Sequence, residues 1–209
     1  MTDWVTISSL ATAGGTLVLA AVTFASVRSA NRAARVAEET LLAGIRPLLM
    51  PSRHEDPPIK VGFGDGHFVH TPGGGGTVET GDSAVYLTMS VRNVGNGIAV
   101  LHGWRLEPSR EVAQTRPPIE EFRRLTRDIY VATGDVSFWQ GAIRDPEESD
   151  FLEIQGRMAS PERIIVDLLY GDHHGRQRVI SRFSLLPREN GAWLATVARH
   201  WNVDRPDPR

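Results

Sequence analysis

An unbroken run of 21 uncharged, mostly apolar residues lies near the N-terminus of the chain, from Ile7 to Val27. About 20 predominantly apolar residues, rising about 1.5 Å each in a helix, can cross the ~30 Å hydrocarbon core of a bilayer. A helix also satisfies its own backbone hydrogen bonds in lipid. The segment therefore predicts a transmembrane α-helix over residues 7–27, with the lipid bilayer as its partner.

Two other interpretations of this segment stay open. A secretory signal peptide carries positive charge before a shorter apolar core, whereas this chain begins Met1-Thr2-Asp3-Trp4 and its first arginines follow the segment. The other alternative is a buried helix of a soluble protein, but a helix packed on a domain surface shows a polar stripe of helical period, which Ile7–Val27 lacks. The order of charges and the missing stripe favour a membrane anchor.

Basic residues flank only one end of the segment: Arg28, Arg32 and Arg35 follow it, and no Lys or Arg precedes it. Cytoplasmic flanks of membrane helices carry an excess of Lys and Arg. We therefore expect a single-pass protein of the cell membrane, with its N-terminus outside and its C-terminal domain in the cytoplasm. The absence of Cys is compatible with a reducing compartment and excludes thiolate metal ligands.

Residues 28–46 predict a helical stalk that continues the membrane helix, because the segment is rich in Ala, Arg, Glu and Leu and contains no Pro. Small residues recur at every fourth position across the span and the stalk, namely Ala21, Ala25, Ser29, Ala33 and Ala37. That spacing lets two helix backbones approach closely, so a homodimer is one hypothesis. An Ala-rich composition also produces such spacings by chance.

Beyond the stalk, apolar and polar residues alternate with period two, which is typical of strands with one buried face. The clearest case is Val85, Leu87, Met89 and Val91. Similar runs occupy residues 98–106, 164–170, 179–185 and 193–201. Many short strands separated by Gly and Pro turns predict a mainly β fold, an antiparallel β-sandwich over residues 47–201. Residues 202–209 are expected to form a polar tail.

One or two short helices are predicted within this domain. One is Ile119–Leu125, after Pro117-Pro118, and the other is Pro146–Met158, with Asp145 as its N-cap. The Gly-rich stretch Thr71–Asp82 is expected to be a mobile surface loop. It lacks the Lys-Ser or Lys-Thr that a phosphate-binding loop requires.

The charge balance argues against a nucleic-acid partner. The chain has 23 Lys and Arg against 25 Asp and Glu. Four of those bases and three of those acids precede Pro47, so the remaining chain has a net charge of about −3. Nucleic-acid-binding domains normally carry a basic excess, and an unknown protein partner is the better expectation.

The best cluster of metal-ligand types is Asp172, His173 and His174, with Asp167 nearby. Imidazole and carboxylate suit several divalent metals, and a catalytic metal needs about three protein ligands. The same cluster lies between Gly171 and Gly175, as a solvated hairpin turn would. These residues are therefore only weak metal candidates, and no catalytic residue or cofactor is predicted.

Among the other histidines, His102 falls on the apolar face of the predicted strand 98–106, which predicts a buried, hydrogen-bonded core residue. His200 is expected to lie on the solvent face of the last strand, because it alternates with Trp201. Neither histidine belongs to a recognisable catalytic motif.

The order of segments resembles uncharacterised single-pass membrane proteins of high-GC bacteria. The pieces that carry the resemblance are Ile7–Val27, Arg28–Gly44, Arg46-Pro47 and a strand that ends in Asn-x-Gly-x-Gly, Arg92–Ala99. Three further stretches are similar to such proteins: Phe138-Trp139-Gln140-Gly141, Leu168–Asp172 and Arg199–Asp204. The resemblance implies a C-terminal β-sandwich-like domain and no assigned activity.

Three functional hypotheses follow. The first is a non-enzymatic, membrane-anchored cytoplasmic protein-interaction module. The second is a metal-dependent hydrolase or small-ligand sensor that uses the Asp172/His173/His174 turn. The third is ligand sensing in a pocket lined by Trp104 or Trp139, which requires a concave apolar site.

Overall fold

The computed structural model describes residues 3–107, 115–189 and 191–207. The chain divides into two compact units, one up to Gly44 and one from Ile45 to Arg209. The elements are α1 (Asp3–Gly44), β1 (Leu49–Pro51), β2 (Ile59–Gly62), β3 (Phe68–Thr71), β4 (Gly75–Thr80), β5 (Val85–Asn93), β6 (Ala99–Leu106), β7 (Arg123–Val131), β8 (Val136–Ile143), α2 (Ser149–Ala159), β9 (Ile164–Asp172), β10 (Arg178–Pro187) and β11 (Trp193–Asn202).

The first unit is the single long helix α1, whose described side chains are almost all exposed. Among the described residues it is the one helix long and apolar enough to cross a membrane, which is consistent with a membrane anchor or a signal sequence. The hydroxyls of Thr12, Thr16 and Thr23 each donate to the carbonyl four residues earlier, at 2.8–2.9 Å. These polar side chains are thereby satisfied within the helix itself.

The second unit is built on one curled antiparallel sheet, a half-barrel, in the order β8–β5–β4–β11–β10–β9–β6–β7. One edge of β5 pairs with β8, and its other edge pairs with β4 and then with the short β1. The prediction of a mainly β fold with antiparallel strands, preceded by a long helix, is confirmed. The strands form one continuous curled sheet, with β2 and β3 as a separate hairpin.

The main core fills the concave side of this sheet. Val85, Leu87, Met89 and Val91, the alternating residues of β5, are fully buried there. Helix α2 adds Phe151 and Ile154, and the rings of Trp104 and Trp139 meet edge to face at 5.4 Å. All four tryptophans of this unit are buried, Trp104, Trp139, Trp193 and Trp201. Trp104, Trp139 and Trp193 belong to the main core, and Trp201 belongs to a smaller cluster; filling the interior is the usual role of large aromatics.

Two smaller clusters cover parts of the convex side. The β2–β3 hairpin packs Val61, Phe63 and Val69 against β5 and β8. A second cluster joins Leu169 and Ile180 to Trp201 at the end of β11. Strands β5, β9 and β10 are therefore covered on both faces.

The segment that begins the second unit is held by the Asn-x-Gly-x-Gly loop. The fully buried Asn93 side chain accepts from the backbone N–H groups of Leu48 and Gly95 and donates to the carbonyls of Gly97 and Val131, at 2.5–3.1 Å. A Cβ on Gly97 would lie 1.8 Å from the Ile45 carbonyl oxygen. The glycines of this motif are needed because two stretches of backbone touch there.

The prediction of a mobile loop over Thr71–Asp82 is wrong, because residues 75–80 form β4 inside the sheet. Glycine is required there by close backbone approach on both sides. A Cβ on Gly75 would lie 2.6 Å from the Trp193 carbonyl oxygen, and one on Gly76 would lie 2.5 Å from that of Thr88. Glycine in a strand marks such an approach.

The helix predicted over Ile119–Leu125 is also wrong. That stretch has only a 3₁₀ turn at Ile119–Glu121, and β7 begins at Arg123. The second predicted helix exists but begins later, at Ser149, with Glu148 as its N-cap residue. Asp145 instead accepts a 2.9 Å hydrogen bond from the Glu147 N–H in the preceding turn.

Candidate functional site

The predicted metal cluster is a turn between β9 and β10. Asp172 is buried, and its two carboxylate oxygens accept from the backbone N–H of Arg176 and the side-chain amide of Gln177. His173 and His174 are exposed, with ring centroids 3.8 Å apart. No group of three His, Asp or Glu that could hold a metal ion occurs among the described residues. Asp172 has the geometry of a turn-stabilising residue.

Asp167 lies elsewhere, in a buried ion cluster on the convex face. Both of its oxygens accept from the Arg182 guanidinium at 2.7 Å, and one also accepts from Arg105 at 3.0 Å. Glu107 lies 3.1 Å from Arg182, and Glu121 lies 3.3 Å from Arg105. Burial disfavours the Arg182 charge, but Asp167 and Glu107 outweigh it and raise the pKa of Arg182. The sequence contains these charged residues, but nothing in it predicts that they contact one another.

His102 is not a core residue, contrary to the prediction. The pairing of β6 with both neighbours shifts between Leu101 and Gly103, which makes His102 a bulge residue. Leu101 and Trp104 both face the core, and His102 remains exposed on the convex side. A bulge adds one residue and so reverses the alternation beyond it. Strict period-two counting therefore assigned His102 to the wrong face.

The bulge places His102 in an open cleft of about 690 Å³ beside the Asp172 turn. The cleft is lined by apolar residues, among them Phe122 and Leu169, and by charged residues including Arg124, Asp128 and Arg178. Partial burial and the positive charge of Arg178 lower the pKa of His102, against the opposing effect of Asp128 and Asp172. A concave site with a perturbed titratable group is a reasonable candidate for ligand binding.

His200 ends a hydrogen-bonded chain that begins at the start of β1. The Leu49 N–H donates to the Tyr170 hydroxyl at 3.1 Å, which lies 2.8 Å from Ser181 Oγ. Ser181 Oγ lies 2.6 Å from His200 Nδ1. Burial and the charge of Arg46 lower the pKa of His200, which favours its neutral ring. The chain of contacts links β1 to β9, β10 and β11, so His200 is only partly on the solvent face.

These two histidines predict a decline in stability toward mildly acidic pH. Both have a folded-state pKa below the ordinary value near 6.5, so the unfolded chain binds more protons than the folded chain in that window. The melting temperature of the second unit, Ile45–Arg209, which we call the β unit, should fall as pH decreases from about 7 toward 5. The double variant His102→Gln/His200→Gln should flatten that decline. An unchanged slope in thermal unfolding monitored by Trp fluorescence would contradict the assignment.

The two end strands of the half-barrel face each other without pairing. Strands β7 and β8 are consecutive in sequence and joined by residues 132–135, yet they lie at opposite ends of the strand order. We call the gap between them the seam. It contains a crevice of about 260 Å³ lined by Trp104, Arg123, Arg124, Gly141, Arg144 and their neighbours. Sequence reasoning missed the seam, because a short connection between strands normally forms a hairpin.

Comparisons with known proteins give no family assignment. No protein-family model matches the chain, and no curated protein matches it. A solved structure assigned to the ApaA protein of Bordetella pertussis is 11% identical, with a TM-score of 0.23. The alignment covers 64% of this chain and 89% of that one. A likeness at this level carries no argument about function.

Proposed function

We propose that the chain is a non-enzymatic, membrane-anchored protein-interaction module with its β unit in the cytoplasm. The observation that carries the proposal is the exposure of large apolar side chains on α1, including Leu10, Leu17, Leu19 and Phe24. Exposed apolar surface of this extent on a helix long enough to span a bilayer calls for lipid around it. Anchoring would confine the β unit to the membrane surface.

The contacts of the β unit support binding rather than catalysis. Three acidic residues are used structurally: Asp65 binds Tyr86 and Arg144, Asp167 binds two arginines, and Asp172 holds its turn. The hydrogen bond from Tyr86 is the main reason that the pKa of Asp65 is lowered to about 2. A carboxylate so stabilised is a poor proton acceptor at neutral pH.

The proposed orientation rests on Arg28, Arg32 and Arg35. Their spacing puts all three on one face of α1, just beyond the apolar segment. Because the chain has no Cys, single cysteines report the orientation cleanly. An impermeant maleimide applied to intact cells should label Asp3→Cys and should not label Ala198→Cys in the β unit. The reverse labelling would refute a cytoplasmic β unit.

Membrane anchoring itself is tested by a charge placed in the middle of the apolar segment. An arginine at the centre of a membrane helix costs about 2.5–3.5 kcal/mol, so Leu17→Arg should lower the membrane-to-soluble ratio on the order of 100-fold. The matched control is Leu41→Arg, because Leu41 is about as exposed as Leu17 (65% against 72%) but lies outside the segment. Flotation of full-length chain with membranes measures the ratio. Equal flotation of both variants and wild type would contradict the anchor.

Self-association of α1 is part of the same proposal. Ala21, Ala25, Ser29, Ala33 and Ala37 follow one another at every fourth residue of a continuous helix, so they form one inclined ridge of small residues along its surface. Ala25→Cys and Ser29→Cys should then crosslink in membranes, and monomer at both positions would remove the dimer.

A second candidate function is small-ligand sensing, favoured by the His102 cleft. The exposed His173 and His174 and the cleft-lining Gly175 belong to the same turn, so the predicted Asp172/His173/His174 candidates lie beside a concave site. Binding of Zn²⁺ or Mn²⁺ there should raise the melting temperature of full-length protein and should do so less in His174→Ala. An unchanged melting temperature with either ion would remove the metal-dependent version of this function.

A further inference from the structure

The seam is kept open by contacts at both of its ends. One end is the turn of residues 132–135, where the Asn93 N–H donates to the carbonyl oxygen of Asp135. The Gly134 N–H donates to the carbonyl oxygen of Asn93, and the Thr133 hydroxyl donates to the carbonyl oxygen of Asn96. These bonds tie the turn to β5 and its loop. At the other end, Arg123 of β7 pairs with Glu148 and Asp150 at the start of α2. Both strands are therefore anchored away from each other.

Part of β7 also has no partner on its other side. The register of β6 with β7 passes from Leu101↔Ile129 to Gly103↔Arg124, so residues 125–128 are opposite only the bulged His102. These four residues are outside the β6 ladder, and the edges of β7 and β8 that face each other across the seam are not paired with any described strand. Unpaired strand edges are the surfaces to which extended peptides add.

The crevice of the seam is lined by three arginines, Arg123, Arg124 and Arg144, and no acidic residue is among its described lining residues. Arg123 is balanced by Glu148 and Asp150, and Arg144 is balanced by Asp65. Among the described residues, Arg124 and Arg127 have no carboxylate partner, and Arg127 instead donates to Gln140 across the seam at 2.7 Å. Two exposed guanidinium groups therefore lack a counter-charge beside unpaired backbone.

We propose that the seam binds an extended acidic peptide segment of a partner protein by strand addition between β7 and β8. Backbone hydrogen bonds to the unpaired edge would give affinity, and Arg124 and Arg127 would select acidic over basic side chains. The Arg127–Gln140 bond would yield to the incoming strand. This inference rests on the proposed interaction function and names the chemistry of the partner.

The test uses full-length protein in phosphatidylcholine nanodiscs, which add no net lipid charge. Three labelled peptides of about eight residues serve as probes: one alternating Glu and Val, one alternating Lys and Val, and the acidic one with alternate backbone nitrogens methylated on the edge that would pair. We expect fluorescence anisotropy to show binding of the acidic peptide only. N-methylation should weaken binding at least ~10-fold because it removes ladder hydrogen bonds but no charge. Equal binding of the methylated peptide would overturn strand addition.

Substitutions locate the site. Arg124→Glu/Arg127→Glu should weaken binding of the acidic peptide at least ~10-fold, because each guanidinium is replaced by a carboxylate that repels the peptide's acidic side chains. The control Arg53→Glu/Arg188→Glu makes the same change in net charge at exposed arginines away from the seam and should change binding less than ~2-fold. A peptide that bears one Cys should form a disulfide with Thr126→Cys and not with Ala198→Cys.

No binding of the acidic peptide, or equal effects of the two double variants, would overturn the seam proposal. Neither outcome touches the anchoring experiment, because Leu17 and the seam lie in different units. If the chain floats with membranes but the acidic peptide does not bind the seam, the seam proposal is refuted and the anchoring proposal stands.

Discussion

Asp167→Asn should destabilise the β unit by about 3–5 kcal/mol. Asp167 is 0% exposed and Arg182 is 1% exposed, and the carboxylate accepts two hydrogen bonds from that guanidinium. Removing one charge of a buried pair leaves the other uncompensated in a medium of low polarity. Arg105 would lose the same partner. Urea unfolding of full-length protein in detergent, followed by Trp fluorescence, measures the loss.

The matched control is Asp204→Asn, which removes a carboxylate from the more exposed pair with Arg178. It should cost no more than about 1 kcal/mol. The double variant Asp167→Leu/Arg182→Met should be more stable than Asp167→Asn, because both charges of the pair leave the interior together. Equal losses for Asp167→Asn and Asp204→Asn would show that burial does not set the strength of the cluster.

Gly97→Ala should destabilise the β unit by at least ~2 kcal/mol. The added Cβ would lie 1.8 Å from the Ile45 carbonyl oxygen, which belongs to backbone and cannot rotate away. The loop and the Ile45–Leu49 segment would have to separate, and the hydrogen bonds of Asn93 to Leu48 and Gly97 would weaken with them. Overpacking of well-packed sites typically costs about 1–3 kcal/mol. Urea unfolding measures this variant too.

Gly156→Ala is the control for this variant. Gly156 lies on the exposed side of α2, with nothing within 4 Å of an added Cβ. Because Ala has a higher helix propensity than Gly, this change should stabilise the β unit by about 0.5–1 kcal/mol. The same chemical substitution is thus expected to have opposite signs at the two sites. Two changes of the same sign would contradict the close contact at Gly97.

The strands and the long helix were predictable because their patterns are local. The alternation in β5 identifies its buried face, since neighbouring side chains point to opposite sides of a strand. The prediction failed at His102 and in the Gly-rich stretch that contains β4, where a bulge or a neighbouring backbone decides the conformation. Propensity alone also misassigned the stretch that begins β7 as a helix, because pairing with β6 determines its structure.

The candidate sites depended on contacts between distant segments. Asp167 and Arg182 come together only because β9 and β10 pair with these two residues opposite each other. The seam depends on the contact of the turn after β7 with Asn93, which lies far earlier in the chain, and on the ion pairs of Arg123 with Glu148 and Asp150. Neither contact leaves a periodic signal in the residues involved.

The sequence by itself determined the long apolar helix, the charges after it and the mainly β character of the rest. These follow from hydrophobicity and periodicity, which act between near neighbours. Only the tertiary structure decided that the sheet curls into a half-barrel with unpaired end strands, and which charged residues are neutralised. Those outcomes depend on the pairing of remote strands, whose register is set by the packing of the whole core.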